Sequence, residues 1–358
     1  MSAQPPSHLQ PGPKPGPVVK PGEFPFAAAF LEHGHIYVQC SGLVDAGAEL
    51  RYVYDPDPKK VEALLAKHPG AKAAESFESI LDDPEIKLVA AAGVPSERGG
   101  VGCRVMRAGK DYFVDKTPFT RLSQLEEARK VAAETGKKYA VYYSERLHSE
   151  CAVFAGKLIK DGQIGRVIQV VGFGPHRLGA PESRPAWFYE KARYGGILTD
   201  IGSHQIEQYL EYSGATDATV TSATVANTNH PDLPELEDFG EAHLIGDNGT
   251  TNFFRIDWLT PDGSRIWGDG RTFILGTKGY IELRKFIEVG RGEGGDQLYL
   301  VNHEVEHHAS LTGKVGFPYY GELILDCLNR TEIAMTQEHA FKAGELCLRA
   351  QEKAVRLG

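Results

Sequence analysis

Apolar and polar positions follow two different rhythms along this chain. FPFAAAFL (24–31) reads as a buried strand, 36–46 as a helix, and AELRYVYD (48–55) as a second strand closing on Asp55. The alternation continues with a helix over 58–66, a strand in IKLVAAAG (86–93), a helix over 99–108, the strand DYFVD (111–115), a helix over 123–135, and the strand KYAVYY (138–143). Strands separated by helices at this cadence predict a parallel, doubly wound, Rossmann-like sheet. After residue 150 the rhythm changes. One helix (151–160) and VIQVVGF lead through a polar stretch to a second helix, and then 218–227, 239–246, 251–258, 272–275 and 280–284 read as strands with no helices between them. That half is expected to be α+β with a large, open, mostly antiparallel sheet. The closing QEHAFKAGELCLRAQEKAVRL returns to helical spacing and is expected to pack back on the core.

A chain of 358 residues has room for two domains. The expected organisation is an arm over 1–25, a Rossmann domain over 26–144, an α+β substrate and oligomerisation domain over 145–334, and a terminal helix over 335–358. The arm carries Pro5, Pro6, Pro11, Pro13, Pro15, Pro17, Pro21 and Pro25 without a signal-like apolar core, so it reads as extended or disordered and able to reach a neighbouring subunit. Composition narrows the classes further. No apolar run nears the roughly 20 residues of a membrane span. A net charge of -9 with no Lys/Arg stripe argues against nucleic acid. The five cysteines (40, 103, 151, 327 and 347) are scattered and form no C-x-x-C pair, which fits a reducing cytoplasm rather than disulfides or structural zinc. An open sheet face predicts a homodimer or homotetramer.

Candidate chemistry sits at the ends of the predicted strands. A dinucleotide site needs a Gly-rich turn after the first strand, a helix N-terminus for the pyrophosphate, and an acidic residue after the second strand for a ribose hydroxyl. The turn Gly34-His35-Ile36 meets the Gly pattern only at Gly34, while Asp55 stands where the ribose carboxylate belongs and favours NAD. Lys59 and Lys60 keep NADP open, and Asp55 could instead cap the turn Asp55-Pro56-Asp57-Pro58. The fourth long strand ends in Asp115-Lys116-Thr117-Pro118, placing Lys116 either at the ligand crevice as a proton-shuttling ammonium or on the surface. Asp200 and His204 lie four apart after Gly195-Gly196, the spacing of a carboxylate that orients an imidazole for general acid/base work. The competing reading is a solvated helix stripe with Glu207 and Glu211. Ahead of that helix, His176, Arg177, Arg184, Trp187 and Phe188 suit a sugar or polyol, with an anionic sugar also possible, although Trp187 could equally anchor an interdomain loop. Arg255 and Asp257 are expected to pair. His303, His307 and His308 lie in a charged segment without Cys, so no metal centre is expected.

Together, DKTP, GGILTDIGSHQIEQ, the sheet-rich second half and TQEHAFKAGELCLRAQE resemble the Gfo/Idh/MocA oxidoreductases, over roughly residues 26–358. The resemblance implies an N-terminal Rossmann domain and a C-terminal domain whose open sheet faces the cofactor. Its E-K-P motif matches at Asp115-Lys116, with Asp in place of Glu and Thr117 inserted before Pro118, and its D-x-x-x-H pair matches at Asp200 and His204. By that likeness Lys116 touches the nicotinamide ribose and the substrate, His204 takes the hydroxyl proton, Asp200 sets the imidazole, and Gly93 and Pro95 lie beside the adenosine diphosphate. The implied function is hydride transfer between NAD, with NADP possible, and a sugar, cyclitol or related polyol. The alternatives are an NAD-retaining enzyme that cleaves or eliminates with no net redox change, and a non-catalytic ligand sensor on the same scaffold.

Overall fold

The computed structural model describes residues 9–357. Its first sheet contains β1 (Pro25–Ala29), β2 (Glu49–Tyr54), β3 (Lys72–Ala73), β4 (Leu88–Ala91), β5 (Asp111–Asp115) and β6 (Tyr139–Tyr142), ordered β3-β2-β1-β4-β5-β6. Every neighbouring pair is parallel. The connections are α1 (His35–Asp45), α2 (Pro58–Leu65), α3 (Phe77–Asp82), α4 (Pro95–Arg107) and α5 (Leu122–Thr135). Helices on both faces explain why β1, β4 and β5 are buried throughout and read as continuous apolar runs. Gly102 lets α4 lie directly on the sheet, since a Cβ there would stand 2.3 Å from the Tyr139 ring and 2.7 Å from that of Tyr112. Strand order reverses between β1 and β4, so the ligand crevice opens beyond their carboxyl ends.

After α6 (Ser144–Leu147) and α7 (Glu150–Lys160), the chain builds a nine-stranded sheet. Its strands are β7 (Val167–Pro175), β8 (Ala218–Ala226), β9 (Phe239–Gly246), β10 (Thr251–Asp257), β11 (Arg271–Gly276) and β12 (Gly279–Arg284), followed, after the short hairpin β13 (Ile287–Glu288) and β14 (Glu293–Gly294), by β15 (Gln297–Asn302), β16 (Glu306–Ser310) and β17 (Val355–Arg356). Their order is β16-β15-β12-β11-β7-β10-β9-β8-β17. The sheet is mixed: β10 runs parallel to β7 and β17 to β8, and the remaining pairs are antiparallel. Between β7 and β8 come α8 (Lys191–Tyr194), α9 (Ile197–Asp200) and α10 (Gly202–Ser213); α11 (Tyr319–Asn329) and α12 (Gln337–Lys353) close the chain. Strand β9 alternates buried and accessible positions, as a one-sided sheet requires.

The terminal helix joins the two halves. Its Gln337 side chain bonds the backbone N–H and C=O of Tyr139 in β6 at 2.8 and 2.9 Å, and the Ala340 carbonyl accepts from Tyr143 at 3.1 Å. On its other side α12 packs on α9, α10 and β8. The described part of the Pro-rich arm lies against its own chain, with Leu9 buried and the Val18 N–H donating to the Ala46 carbonyl at 2.9 Å. Residues 1–8 fall outside the described residues. All five cysteines are buried and free. No helix among the described residues is long and apolar enough to cross a membrane.

Candidate active site

The site is assembled where β4 and β5 end. Arg98 in the first turns of α4 is buried, and its guanidinium stitches the two loops together. Its Nε donates to the Gly93 carbonyl at 2.7 Å, its Nη1 to the carbonyls of Asp115 (3.2 Å), Lys116 and Thr117 (3.1 Å), and its Nη2 to the Asp115 carboxylate at 3.2 Å. The backbone at Lys116 is thereby fixed, and its ammonium reaches across the crevice to Asp200, with Nζ and Oδ1 2.6 Å apart. Both side chains are nearly out of water, at 7% and 13% exposure. Burial works to raise the Asp200 carboxyl, but the charge and hydrogen bond of Lys116 outweigh it and hold the group below its ordinary value.

That pairing corrects one expectation. Asp200 does not set the imidazole of His204, because the carboxylate is spent on a lysine of the other half. His204 is buried one turn further on, and its Nδ1 has no hydrogen-bond partner. Burial, reinforced by nearby Lys116, holds its pKa well below the usual histidine value against the pull of Glu145, so it is neutral at pH 7. Glu145 is the carboxylate beneath it. Its Oε2 accepts from Lys285 at 2.5 Å and Gln205 at 3.0 Å, and its Oε1 has no bond but lies 4.0 Å from Nε2 of His176. Burial would raise this carboxyl, yet Lys285 brings it down to about 2. His176 is itself lowered to about 4 by burial.

A cleft of about 180 Å³ opens over Lys116 and Asp200, walled by His33, His35, His176, Trp187, Trp258 and Trp267. His204 is not in its wall but one layer deeper. Arg184 lines the cleft with Nε on the Leu178 carbonyl and Nη2 on that of Arg177, both at 3.1 Å, and lies 4.9 Å over Phe188 and 5.1 Å over Trp258. Arg177 also lines the cleft, although its Nη2 is spent on the carbonyls of Pro261, Ser264 and Ile266. Trp187 serves both readings at once, since it is buried and lines the cleft while its Nε1 donates to Glu32 at 3.2 Å.

Elsewhere the expectations fare differently. Gly195 and Gly196 have φ of +95° and +93°, and a Cβ on Gly196 would stand 2.3 Å from the Gln351 side chain, so these glycines make room for the protein itself rather than for a ligand. Glu207 is no solvated stripe residue; it is fully buried against Arg146 and His339. Arg255 and Asp257 do pair, at 3.3 Å. The Asp55 carboxylate accepts from the backbone N–H of Leu31 at 2.7 Å and of Asp57 at 2.8 Å, so it at least caps its turn. Lys60 pairs with Glu32 across the cofactor turn. His35 bonds Asp115 at 2.7 Å, while Ile36 is buried beneath the turn. His307 and His308 lie in β16, where His308 stacks on Tyr299.

Several contributors were missed, among them Trp258 and Trp267 of the cleft wall. Arg98 follows the nominated Gly93 and Pro95 by a few residues and could have been suspected from a cation following a strand end. His33 flanks Gly34 as His35 does. The Glu145–Lys285 pair joins residues 140 positions apart and left no local signal.

Residues 27–143 match the family profile described as an oxidoreductase family with an NAD-binding Rossmann fold, and residues 153–282 match the GFO/IDH/MocA C-terminal domain. A protein of known structure from Erwinia carotovora atroseptica SCRI1043, described as a candidate oxidoreductase, is 47% identical over 94% of this chain and 100% of its own, with a TM-score of 0.90. The chain belongs to the Gfo/Idh/MocA family of oxidoreductases. Within this family, scyllo-inositol 2-dehydrogenase (NAD(+)) of Bacillus subtilis (strain 168) is 28% identical over 68% of this chain and 69% of its own. D-xylose dehydrogenase of Paenarthrobacter nicotinovorans is 27% identical over 40% of this chain, a match that spans only 38% of that enzyme.

The turn of this Gfo/Idh/MocA Rossmann domain fits a nicotinamide dinucleotide in three respects. Gly34, the exposed N-cap of α1, has nothing within 4 Å of where a Cβ would stand, so the helix N-terminus is open to a pyrophosphate. Phe30 takes the positive φ of +56° that glycine would ordinarily supply. With Tyr54 it forms a partly exposed aromatic ledge at the ends of β1 and β2.

Proposed function

We propose that the chain is a dehydrogenase or reductase that moves a hydride between a nicotinamide dinucleotide and a carbinol carbon of a sugar, cyclitol or related polyol. The Lys116–Asp200 ion pair carries this reading: it bridges the two halves of the molecule at the floor of the cleft beyond the parallel strands. The dinucleotide supplies a carbon that accepts or gives the hydride. The protein supplies the rest. Asp200 holds the Lys116 ammonium in place, so that it donates a hydrogen bond to the substrate oxygen and stabilises the alkoxide that develops there. His204, neutral at pH 7, takes the hydroxyl proton, and the Glu145 carboxylate beneath it stabilises the imidazolium so formed. A second assignment is favoured by one observation: His176 lines the cleft while His204 lies behind it, which would make His176 the base that touches substrate.

The Trp187, Trp258 and Trp267 walls support a sugar, whose C–H faces stack on indole while its hydroxyls meet the charged floor. Asp55 places a carboxyl group just after β2, at the ribose end, and Lys60 is already paired, which together favour NAD over NADP. We also read the outer face of the nine-stranded sheet as the surface that meets a second copy, because Phe273, Val171 and Phe253 form an apolar row across β11, β7 and β10, and Leu275 and Ile168 are exposed nearby.

Absorbance at 340 nm with NAD and a panel of aldoses, inositols and sugar acids tests the reaction. Net NADH formation with a panel member is expected. Turnover of a glycoside without net NADH would replace this reading with internal redox recycling, and no turnover and no NADH binding would overturn it. His204→Asn should lower kcat at least about 100-fold with little change in NADH affinity; if His176→Asn does so instead, the base is His176.

A further inference from the structure

We propose that His33, His35 and Asp115 form a binding site for one first-row divalent transition-metal ion, such as zinc, at the floor of the cleft. No local motif signals a metal here, because the three residues come from a turn and a strand end that are far apart in the chain. In the fold, His35 Nδ1 stands 2.7 Å from Asp115 Oδ1 and His33 Nδ1 stands 3.1 Å from Asp115 Oδ2, and all three donor groups lie within 4.8 Å of one another. An ion bound at about 2.1 Å needs donors roughly 3 to 3.4 Å apart, so small side-chain adjustments would complete the set. The imidazole planes cross at 83° with centroids 4.3 Å apart, so the rings meet edge to face rather than stacked, and each Nδ1 is in contact with an oxygen of the same carboxylate.

Proton bookkeeping points the same way. His33 Nδ1 lies 3.3 Å from the backbone N–H of His35, which needs a lone pair on that nitrogen, and 3.1 Å from the Asp115 carboxylate, which needs a proton there. No single tautomer satisfies both contacts. A cation between Nδ1 and the carboxylate would take the single Nδ1 lone pair, giving up the 3.3 Å contact from the His35 N–H and turning the carboxylate contact into two ligand bonds.

The surroundings suit such a centre. Asp115 is fully buried, and Arg98 donates to its Oδ2 at 3.2 Å, the kind of outer-shell hydrogen bond that orients a ligating carboxylate. Two imidazoles and one carboxylate select zinc, iron, cobalt or nickel over magnesium or calcium. Three protein ligands leave coordination positions open, and His33 and His35 both line the cleft, so those positions face the space above Lys116. The fixed charges at the floor, Asp115, Arg98, Lys116 and Asp200, sum to zero. The two charges of the ion are then left for the ligand to meet, which favours an alkoxide, carboxylate or phosphate oxygen. The site does not depend on the hydride-transfer reading.

The test uses untagged full-length protein, stripped with a chelator and titrated with Zn²⁺ by calorimetry and with Co²⁺ by visible absorption. One ion per chain is expected, at a Kd near or below about 1 μM, with a Co²⁺ d–d spectrum of low-symmetry N/O coordination. His33→Ala and His35→Ala should each weaken binding at least about 100-fold, while His307→Ala, remote from the site, should leave it unchanged. Absence of saturable binding to the wild type at about 100 μM ion would overturn the proposal, and so would binding that survives in the His33→Ala/His35→Ala double variant. Because the first arm uses unmodified protein, misfolding of a variant cannot decide the outcome. NADH titration of the stripped protein tests the dinucleotide site separately.

Discussion

Removing one member of the Lys116–Asp200 pair should cost far more than removing both. At 2.6 Å and an effective dielectric of about 20, the Coulomb attraction is about 6 kcal/mol before desolvation is subtracted. With 7% and 13% side-chain exposure, solvent screens little of it. Asp200→Asn keeps the shape and an acceptor oxygen but leaves a buried ammonium without a counter-charge, and Lys116→Met leaves a buried carboxylate. Each should destabilise by about 3 to 5 kcal/mol, whereas Lys116→Met/Asp200→Asn should lose much less than the sum. The assay is urea denaturation of all four proteins at pH 7, with coincident fluorescence and circular dichroism transitions as the check that two-state arithmetic holds. A coupling energy of about 3 kcal/mol is expected. A value below about 0.5 kcal/mol, that of an exposed ion pair, would show that the two halves are not joined by this contact.

The pH dependence of stability follows from His176. Burial lowers its folded-state pKa to about 4, so below its unfolded value of about 6.5 the unfolded chain binds the extra proton, and stability falls as pH drops through that window. His176→Gln should recover about 2 to 3 kcal/mol of the loss between pH 7 and pH 4.5, measured by denaturant midpoints; an unchanged slope would refute the assignment. Arg98→Met should lower stability by about 3 kcal/mol and turnover with it, because the loops after β4 and β5 lose their shared donor; equal activity in the variant would remove Arg98 from the site's support. Gly196→Ala should cost at least about 2 kcal/mol, from a positive φ and a Cβ pressed on Gln351, read by thermal melting. Phe273→Glu should shift the mass seen by light scattering to that of a monomer, and an unchanged mass would move the interface elsewhere.

The parallel sheet was legible because buried strands between helices leave unbroken apolar runs, and β1, β2, β4, β5 and β6 fall within a few residues of where those runs end. Strand β16 was not, because EHHAS is almost wholly polar and its register comes from pairing with QLYLVN of β15, itself passed over, rather than from its own pattern. Helix α11 was also passed over. Lys116 was legible as a strand-end residue. Its partner was not, because spacing along a helix suggests which side chains are neighbours but cannot show that an opposite charge from another domain will claim the carboxylate first. Glu145 and Lys285 were invisible for the same reason: burial makes each need the other, and neither lies in a local motif.

In the proposed reaction, a dinucleotide seated on the N-terminus of α1 serves the cleft above Lys116. Calorimetric titration of the purified protein with NADH and with NADPH tests it most directly. Saturable binding of one dinucleotide per chain, tighter for NADH, is the predicted result. No saturable heat with either dinucleotide at about 1 mM would contradict the account.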